Sequence, residues 1–493
     1  MKTIYVKNRY LSLKIVLLLM FVTLFGACKK WVEVSPPGNS ITSETAFENV
    51  ITSSSVINNV YFQMQTLMAH YSYLGQIADE IKPRISDLTS PLYFNQYITG
   101  NDIEPFIAGT WNNSYSMFIY NLNTVIEGVT ASKGLSERNK EVLIAEAKFT
   151  RAFQYFYLVN LYGDVPLVLT TNPHINSNIS RASIEAVYKQ IIEDLIAAKS
   201  VLPSSYLGPD LLTGTTDRLR PTKWAALALL ARVYLFHGEW LNAEQTADEV
   251  IANNNLFTLE PIENVFKKTS KETIWALQPD LLQTANEPNN TAQGVTFIPA
   301  PGLLPDLVVS DSLLSKFKDI DLRKQSWLKK ATDETVTPSK DYYYSYKYKL
   351  GNNFTGVFQD QQEYQVVLRL AEQFLIRAEA RAQQERIEGL NSASEDLNVI
   401  RERAGLGKST STGKMGILNA IWEERQRELF TEWGHRWLDL KRTQRVDAVM
   451  SIETPRKGGI WSSYKALFPI PYGEFINNPA LKGHQNPGYK ETQ

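Results

Sequence analysis

The sequence PTKWAALALLARVYLFHGEWLNAEQTADEVIANNN, from Pro221 to Asn255, contains two helical patterns separated by Gly238. Apolar residues recur with the 3.6-residue period of an α-helix on both sides of that glycine. In the first pattern they are Trp224, Leu227, Ala231, Tyr234 and Leu235, and in the second they are Trp240, Ala243, Ala247, Val250 and Ile251. Two helices of this length, joined by a tight turn and with small residues where they cross, predict a tetratricopeptide-like hairpin.

Similar patterns occur on both sides of this hairpin. A second pair is predicted within Gln365 to Ala404, and single helices are predicted over Glu141 to Gly163 and Ala182 to Leu202. No constant 34-residue period connects these units, so a regular solenoid is not expected. The sequence predicts a mainly α-helical protein made of separate helix hairpins. Gly405 is expected to end the second helix of the later pair as a C-cap.

The longest tract with few helical patterns runs from Leu281 to Asn353. Within it, DYYYSYKYK, from Asp341 to Lys349, alternates aromatic and other residues, which predicts a strand with one aromatic face. A loop-rich tract of this length in a compact protein usually serves a function. We therefore expect a smaller, irregular lobe beside the helical scaffold.

The amino terminus has the pattern of an exported protein. Four basic residues precede a predominantly apolar run from Ile15 to Phe25, which is shorter than the roughly 20 residues of a membrane-spanning helix. The following FGAC ends in Cys28, the only cysteine, and looks like a bacterial lipobox. We predict a signal peptide over residues 1–27, a lipid anchor on Cys28 and a tether to residue 43. The alternative is an unmodified cysteine within an ordinary cleaved leader.

Composition and motifs argue against several function classes. The chain has 51 Lys and Arg residues against 52 Asp and Glu residues, so no basic excess favours nucleic acid. Its five histidines are scattered, and no metal site or cofactor is predicted. His435 near Glu432 or Asp439 is the strongest acid–base arrangement, but we interpret it as structural because no nucleophile accompanies it. The carboxylate pairs Asp79 with Glu80 and Asp319 with Asp321 are the alternatives that a glycosidase would need. We assign no catalytic residue.

Five motifs along the chain carry a specific resemblance. They are EAKFTRAFQYFYLVNLYGDVPLV (Glu146–Val168), the hairpin that begins RPTKWAALALLARVYL, VVLRLAEQFLIRAEA (Val366–Ala380), RQRELFTEWGHRWLDLKR (Arg425–Arg442) and LFPIPYGEFINNPALKGHQNPGY (Leu467–Tyr489). In this order they resemble the SusD/RagB family of surface lipoproteins of glycan-foraging Gram-negative bacteria. In the fourth motif, glutamates and arginines four residues apart also predict ion pairs within one helix.

The resemblance implies a single SusD-like domain over residues 44–493. Its helical scaffold would span about 44–275 and 360–493, and its ligand lobe about 281–353, with the loop 80–106 contributing. The family also implies an outer-membrane location facing the exterior, a glycan ligand and a SusC-like TonB-dependent transporter as partner. Two alternatives are the same lid role for a peptide cargo and a tetratricopeptide-like adaptor between proteins.

Ligand contacts are predicted from aromatic and polar residues that lie off the helical patterns. A sugar presents an apolar C–H face and a rim of hydroxyl groups, which match aromatic rings and planar polar side chains. The candidates are Asp79, Arg84, Tyr93, Asn95 and Tyr97 in the first loop, and Trp327, Tyr342 and Tyr344 in the second tract. The alternative for each is packing within its loop, and Tyr342 and Tyr344 would then cover the neighbouring sheet face.

Overall fold

Helices form most of the structure, a computed structural model that describes residues 46–66, 68–85, 104–279, 290–351 and 363–491. Contacts between Cα atoms group Phe47–Gln493 into one compact unit. Among the described residues, no helix is both long enough and apolar enough to cross a membrane. The predicted signal peptide, Cys28 and the tether lie outside the described residues.

The described residues of the amino-terminal half form nine helices and a few short strands. The helices are α1 (Val50–Thr66), α2 (Met68–Ile77), α3 (Glu104–Asn112), α4 (Tyr120–Ala131), α5 (Glu137–Tyr162), α6 (Pro173–Asn176), α7 (Ile184–Val201), α8 (Lys223–His237) and α9 (Trp240–Ile251). A π-helical segment, Asn113–Ile119, joins α3 to α4. The strands are β1 (Ile81–Pro83), β2 (Val165–Pro166), β3 (Arg181–Ala182) and β4 (Thr273–Leu277), and a 3-10 turn covers Ile262–Asn264.

The hairpin of α8 and α9 confirms the sequence prediction. Gly238 connects the helices with a φ of 83°, a left-handed conformation that glycine adopts without steric cost. The crossing is close because small residues meet there: Ala231, Ala243 and Ala247 form one buried cluster with Ile376 and Ala380. Helix α8 is buried on nearly all sides, because α7, α9 and a later helix all pack against it.

The carboxy-terminal half begins with a strand where the sequence predicted the start of a helical pair. Its elements are β8 (Gln365–Arg369), α13 (Leu370–Gln383), α14 (Ala393–Arg403), α15 (Gly413–Leu429), α16 (His435–Arg442), α17 (Val446–Arg456) and α18 (Tyr472–Asn477), with 3-10 turns at Ser463–Ala466 and Pro479–Leu481. Strand β8 pairs with β4 in antiparallel fashion, and all five of its residues are buried. This extended pairing places both faces of the segment in the core. Gly405 follows α14 with a φ of 74°, as its predicted capping role requires.

The segment between the two halves has more regular structure than its sequence predicted. It contains α10 (Ala292–Phe297), β5 (Leu307–Val309), α11 (Asp311–Leu314), α12 (Leu322–Trp327), β6 (Leu328–Asp333) and β7 (Lys340–Ser345). Strand β5 pairs with β1 in antiparallel fashion, and β6 forms a hairpin with β7. Phe266, Trp327 and Phe430 belong to the hydrophobic cluster that underlies these strands. The aromatic strand predicted within Asp341–Lys349 is thus the second strand of a hairpin.

The motif around Glu428 forms a buried ion network instead of the predicted pairs within one helix. Helix α15 ends at Leu429 and α16 begins at His435, so Glu428 and Glu432 do not share a helix with Arg436. The carboxylate of Glu428 lies 2.6 Å from Arg369 Nη1 and 2.9 Å from Arg323 Nη1. Burial by itself would raise the pKa of Glu428, but the surrounding guanidinium groups hold it well below its usual value. Such a network fixes how β8, α12 and α15 meet.

Candidate functional site

The β6–β7 hairpin carries an aromatic and cationic surface on one face. We call this the tyrosine surface and define it as Arg84, Lys329, Lys340, Tyr342, Tyr346 and Lys349. The antiparallel register pairs Tyr342 with Ala331 and Tyr344 with Lys329, so these four residues point to the same face. Tyr343 points the other way and packs against the hydrophobic cluster below. The pleat therefore sends Tyr342 and Tyr343 to opposite faces of the hairpin, and Tyr344 shares the face of Tyr342 but is buried.

Tyr342 lies between two cationic side chains and remains only half-buried. The Arg84 guanidinium carbon is 6.0 Å from the ring centroid, and Lys340 Nζ is 5.1 Å from it. Arg84 is itself held in place, because its Nε donates a hydrogen bond of 3.0 Å to the Pro305 carbonyl oxygen and its Nη1 lies 3.9 Å from Asp333 Oδ2. The structure thus brings together Arg84 and Tyr342, two predicted residues that are more than two hundred positions apart.

Tyr346 forms the second accessible ring of the tyrosine surface. Lys329 Nζ lies 4.7 Å and Lys349 Nζ 4.3 Å from its centroid, and Tyr344 meets it edge-on at 6.2 Å. Lys349 Nζ also donates to the carbonyl oxygens of Ser326 and Tyr346, at 2.5 and 2.6 Å. Burial lowers the pKa of Lys349 to about 8. Rings and cations in this arrangement can contact both the apolar and the oxygen-bearing parts of a ligand.

Asp79 is not a ligand contact in this structure, which corrects the prediction for it. The side chain is buried, with 3% of its surface exposed. Its two carboxylate oxygens each accept a hydrogen bond of 2.7 Å from Arg436, and Gln426 donates a further one of 3.3 Å. Burial by itself would raise the pKa of Asp79, but Arg436 holds it below its usual value. The carboxylate therefore connects the chain after α2 to α16.

Trp327 and Tyr344 also require correction, because neither ring is accessible. Trp327 has no exposed surface, and its Nε1 donates a hydrogen bond of 2.8 Å to the Ile262 carbonyl oxygen. Lys347, whose Nζ lies 4.8 Å from the Trp327 ring, is buried as well. Tyr344 is 4% exposed. Both residues pack inside the lobe, which is the alternative that the sequence analysis gave for them.

Three predicted contacts, Tyr93, Asn95 and Tyr97, lie outside the described residues and stay predictions. Tyr346, Lys329, Lys340 and Lys349 were not among the predicted contacts. The signal for Tyr346 was present, since it continues the alternation of Tyr342 and Tyr344, and Lys340 precedes Tyr342 by two residues in the same alternation. No local pattern marks Lys329 and Lys349, because cross-strand pairing and the path of the chain after β7 bring them to Tyr346.

Each acid–base arrangement named from the sequence has at least one buried member in the structure. Burial lowers the pKa of His435 to about 3, which opposes the charged imidazolium that a general acid would need. Asp79 and Glu80 are both buried, and Asp321 is buried beside Arg323. In the parts of the chain that the structure describes, no group of three or more His, Cys, Asp or Glu side chains could hold a metal ion.

A helical-hairpin scaffold with a small strand-and-loop lobe defines the architectural class. Two sequence profiles of one family match this chain: "Starch-binding associating with outer membrane" over residues 30–235 and "SusD family" over residues 315–489. The chain belongs to the SusD/RagB family, and its mainly α-helical architecture is the SusD-like fold.

Individual relatives agree with this assignment. A SusD-like protein of Formosa agariphila is 25% identical, over 94% of this chain and 97% of its own length. A SusD-like protein of Bacteroides ovatus is 26% identical, over 87% and 82%. Among solved structures, a laminarin-binding SusD-like protein is 22% identical with a TM-score of 0.71, covering 89% of this chain and 99% of that one. A SusD superfamily protein of Parabacteroides distasonis is 23% identical with a TM-score of 0.70, covering 91% and 100%.

Proposed function

We propose that this protein is an outer-membrane lipoprotein that binds a glycan at the tyrosine surface and passes it to a SusC-like TonB-dependent transporter. The accessible rings of Tyr342 and Tyr346, each flanked by cations, are the observation that carries the binding step. Family membership supports the class of ligand and the partner. The names of two proteins with a similar fold, one laminarin-binding and one a surface glycan-binding protein of Bacteroides fluxus, point the same way.

The chemistry of the tyrosine surface suits capture without reaction. The C–H face of a pyranose packs against an aromatic ring, while ammonium and guanidinium groups donate hydrogen bonds to the hydroxyl oxygens at its rim. Arg84 is anchored to the Pro305 carbonyl oxygen, so part of the cost of ordering its side chain on binding is already met. We therefore expect the protein to release its ligand chemically unchanged.

Binding is tested by affinity gel electrophoresis against a panel of polysaccharides that includes laminarin and starch. We expect retardation by at least one polymer, and Tyr342→Ala and Tyr346→Ala should each weaken it about tenfold or more, as the loss of a stacking ring predicts. Tyr120→Ala is the matched control, because Tyr120 is an exposed tyrosine on α4, 49% accessible. Equal retardation of the wild type and the Tyr342→Ala/Tyr346→Ala double variant would remove the tyrosine surface from the proposal.

Anchoring and delivery need separate experiments. Cys28→Ala should release the protein from the outer-membrane fraction, because an unacylated amino terminus has no hydrocarbon to insert. Affinity purification from solubilised membranes should recover a TonB-dependent transporter with the wild-type protein. Recovery of periplasmic proteins alone would contradict delivery and favour the adaptor alternative.

A further inference from the structure

A cavity that is separate from the tyrosine surface lies between α1, the segment before α8 and the end of β4. Its volume is about 450 Å³, within the roughly 300–1,000 Å³ that small-molecule sites occupy. It shares no lining residue with the tyrosine surface. Its walls are mainly apolar and include Tyr61, Phe62 and Leu219, and its polar lining includes Asn58, Asp217 and Arg220.

Arg220 presents a buried donor that no described residue satisfies. The residue is 8% exposed, and its Nη2 pairs with Glu146 Oε2. Nη1 is buried and has no hydrogen-bond partner in the described part of the chain. Glu146 is held from its other side by the Tyr61 hydroxyl, at 2.9 Å, so it is not available to rotate toward Nη1. Nη1 has no surface open to the cavity, so Arg220 belongs to the wall, and the accessible donor on that wall is the side-chain amide of Asn58, an exposed lining residue.

Asp217 supplies the complementary acceptor. Its Oδ1 accepts a hydrogen bond of 3.2 Å from the Tyr364 hydroxyl, and its backbone N–H donates one of 3.1 Å to Thr215 Oγ1. These contacts hold the carboxylate at the cavity wall, and Oδ2 accepts no hydrogen bond from the described residues. A donor and an acceptor on walls that also carry aromatic rings match the hydroxyl groups and C–H faces of a sugar.

The charges of the cavity favour a neutral ligand. Asp217 and Arg220 are the charged residues among its described lining. Because Glu146 already pairs with Arg220, the carboxylate of Asp217 is left as the uncompensated charge. An acidic sugar would meet repulsion there, whereas a neutral one could accept a hydrogen bond from the Asn58 amide and donate one to the Asp217 carboxylate.

We propose that this cavity is a second saccharide site, which binds one or two units of a neutral glycan independently of the tyrosine surface. This inference rests on the proposed function, because it takes the same class of ligand. A cavity of limited volume takes a terminal unit or a short fragment, whereas an open surface takes the length of a polymer. The protein would then hold a polymer on one face and sense its ends or fragments at another.

The test uses the full mature protein and saturation-transfer-difference NMR. The probes are glucose, galactose, mannose, laminaribiose and cellobiose at millimolar concentration, with glucuronate as the acidic comparison. We expect at least one neutral sugar to give a transfer signal, and glucuronate to give a weaker one. In the Tyr342→Ala/Tyr346→Ala background, which removes the rings of the tyrosine surface, Asn58→Trp should abolish the signal, because an indole at this exposed position on the cavity wall fills the space without disturbing the core.

Asn59→Trp is the matched control, since Asn59 is the next exposed residue of α1 and does not line the cavity. It should retain the signal. Asp217→Asn keeps an oxygen for the Tyr364 hydroxyl but removes the charge, and should weaken binding on the order of tenfold.

Several results would overturn the second site. They are the absence of a signal from every neutral sugar, equal signals from Asn58→Trp and Asn59→Trp, or tighter binding of glucuronate than of glucose. The two proposals fail separately. The Tyr342→Ala/Tyr346→Ala double variant should retain the part of the small-sugar signal that comes from the cavity, and Asn58→Trp should leave polymer retardation dependent on Tyr342. Polymer retardation that depends on Tyr342, together with small-sugar signals that ignore Asn58→Trp, would reject the cavity alone.

Discussion

The Arg436 guanidinium group donates hydrogen bonds of 2.7 Å to both carboxylate oxygens of Asp79, across 357 residues of sequence. Both side chains are buried, so the pair lies in a region of low dielectric constant. It connects the residues just before β1 to helix α16. Because β1 in turn pairs with β5, this contact also sets the position of the lobe that carries the tyrosine surface.

Breaking this pair should be costly. Asp79→Asn leaves a buried guanidinium group without its counter-charge, and we expect a loss of about 3–5 kcal/mol in the free energy of unfolding. Asp311→Asn is the matched control, because Asp311 forms a 2.6 Å pair with Lys82 while its side chain is 90% exposed. That change should cost less than about 1 kcal/mol. Urea unfolding measures both, and equal losses would show that burial does not govern these pairs.

Trp327 should behave as a core residue and not as a binding residue. Trp327→Ala removes a ring that packs against Phe266, at 5.4 Å between centroids, and we expect a loss of about 3–5 kcal/mol in unfolding free energy. Trp327→Phe keeps most of the packing and should cost less. If Trp327→Phe binds polysaccharide as the wild type does, the ring has no ligand role. A folded Trp327→Phe protein that no longer binds would reinstate the original prediction.

Gly434 should resist substitution because it sits in a left-handed turn against α2. Its φ is 69°, and an added Cβ would overlap the Leu74 side chain. Gly434→Ala should therefore cost about 2–4 kcal/mol in unfolding free energy, from backbone strain and displacement of a buried leucine together. Gly238→Ala is the comparison, since its φ is 83° and its nearest neighbour would lie at 3.6 Å, an ordinary contact. It should cost about 1 kcal/mol. Equal costs would mean that Leu74 moves aside freely.

His237 should make stability depend on pH. Its Nδ1 lies 2.8 Å from Glu239 and its Nε2 2.9 Å from Glu185, and Tyr188 stacks on the ring. Burial by itself would lower the pKa of His237, but the two carboxylates raise it above its usual value. The folded state therefore binds the proton more tightly than the unfolded chain does. The resulting stability is fully present below the unfolded pKa of about 6.5 and is lost as pH rises through the higher folded value.

Urea unfolding at about pH 6 and about pH 8.5 measures this effect. The stability advantage of the wild type over His237→Gln should be larger at the lower pH. His174→Gln, at an exposed histidine, should keep the pH dependence of the wild type. A constant difference between the wild type and His237→Gln across this range would exclude the mechanism.

The helices could be predicted from sequence because their signals are local. The period around Ala231 and Ala243, with Gly238 between them, is enough to predict a hairpin whatever packs on it. The segment Gln365–Arg369 was harder, because a short buried strand and the start of a buried helix have the same apolar composition. Only its pairing with β4 decides between them.

The candidate site could be predicted only in part, for a related reason. Tyr342 and Tyr344 have the same residue type, the same strand and the same face, yet one ring is half accessible and the other is covered. Arg84 reaches Tyr342 because β1 pairs with β5, a contact between segments far apart in the chain. Sequence alone therefore indicated an aromatic lobe but could not separate its surface from its support.

The amino-acid sequence by itself determined the helix hairpins, the turn glycines and the family, since each depends on neighbours a few positions away or on ordered motifs. The tertiary structure decided which charges pair, as Asp79 does with Arg436, and which rings remain exposed. The physical reason is that solvent exposure and electrostatic environment are properties of everything that surrounds a side chain. Those surroundings are assembled from distant parts of the chain only when it folds.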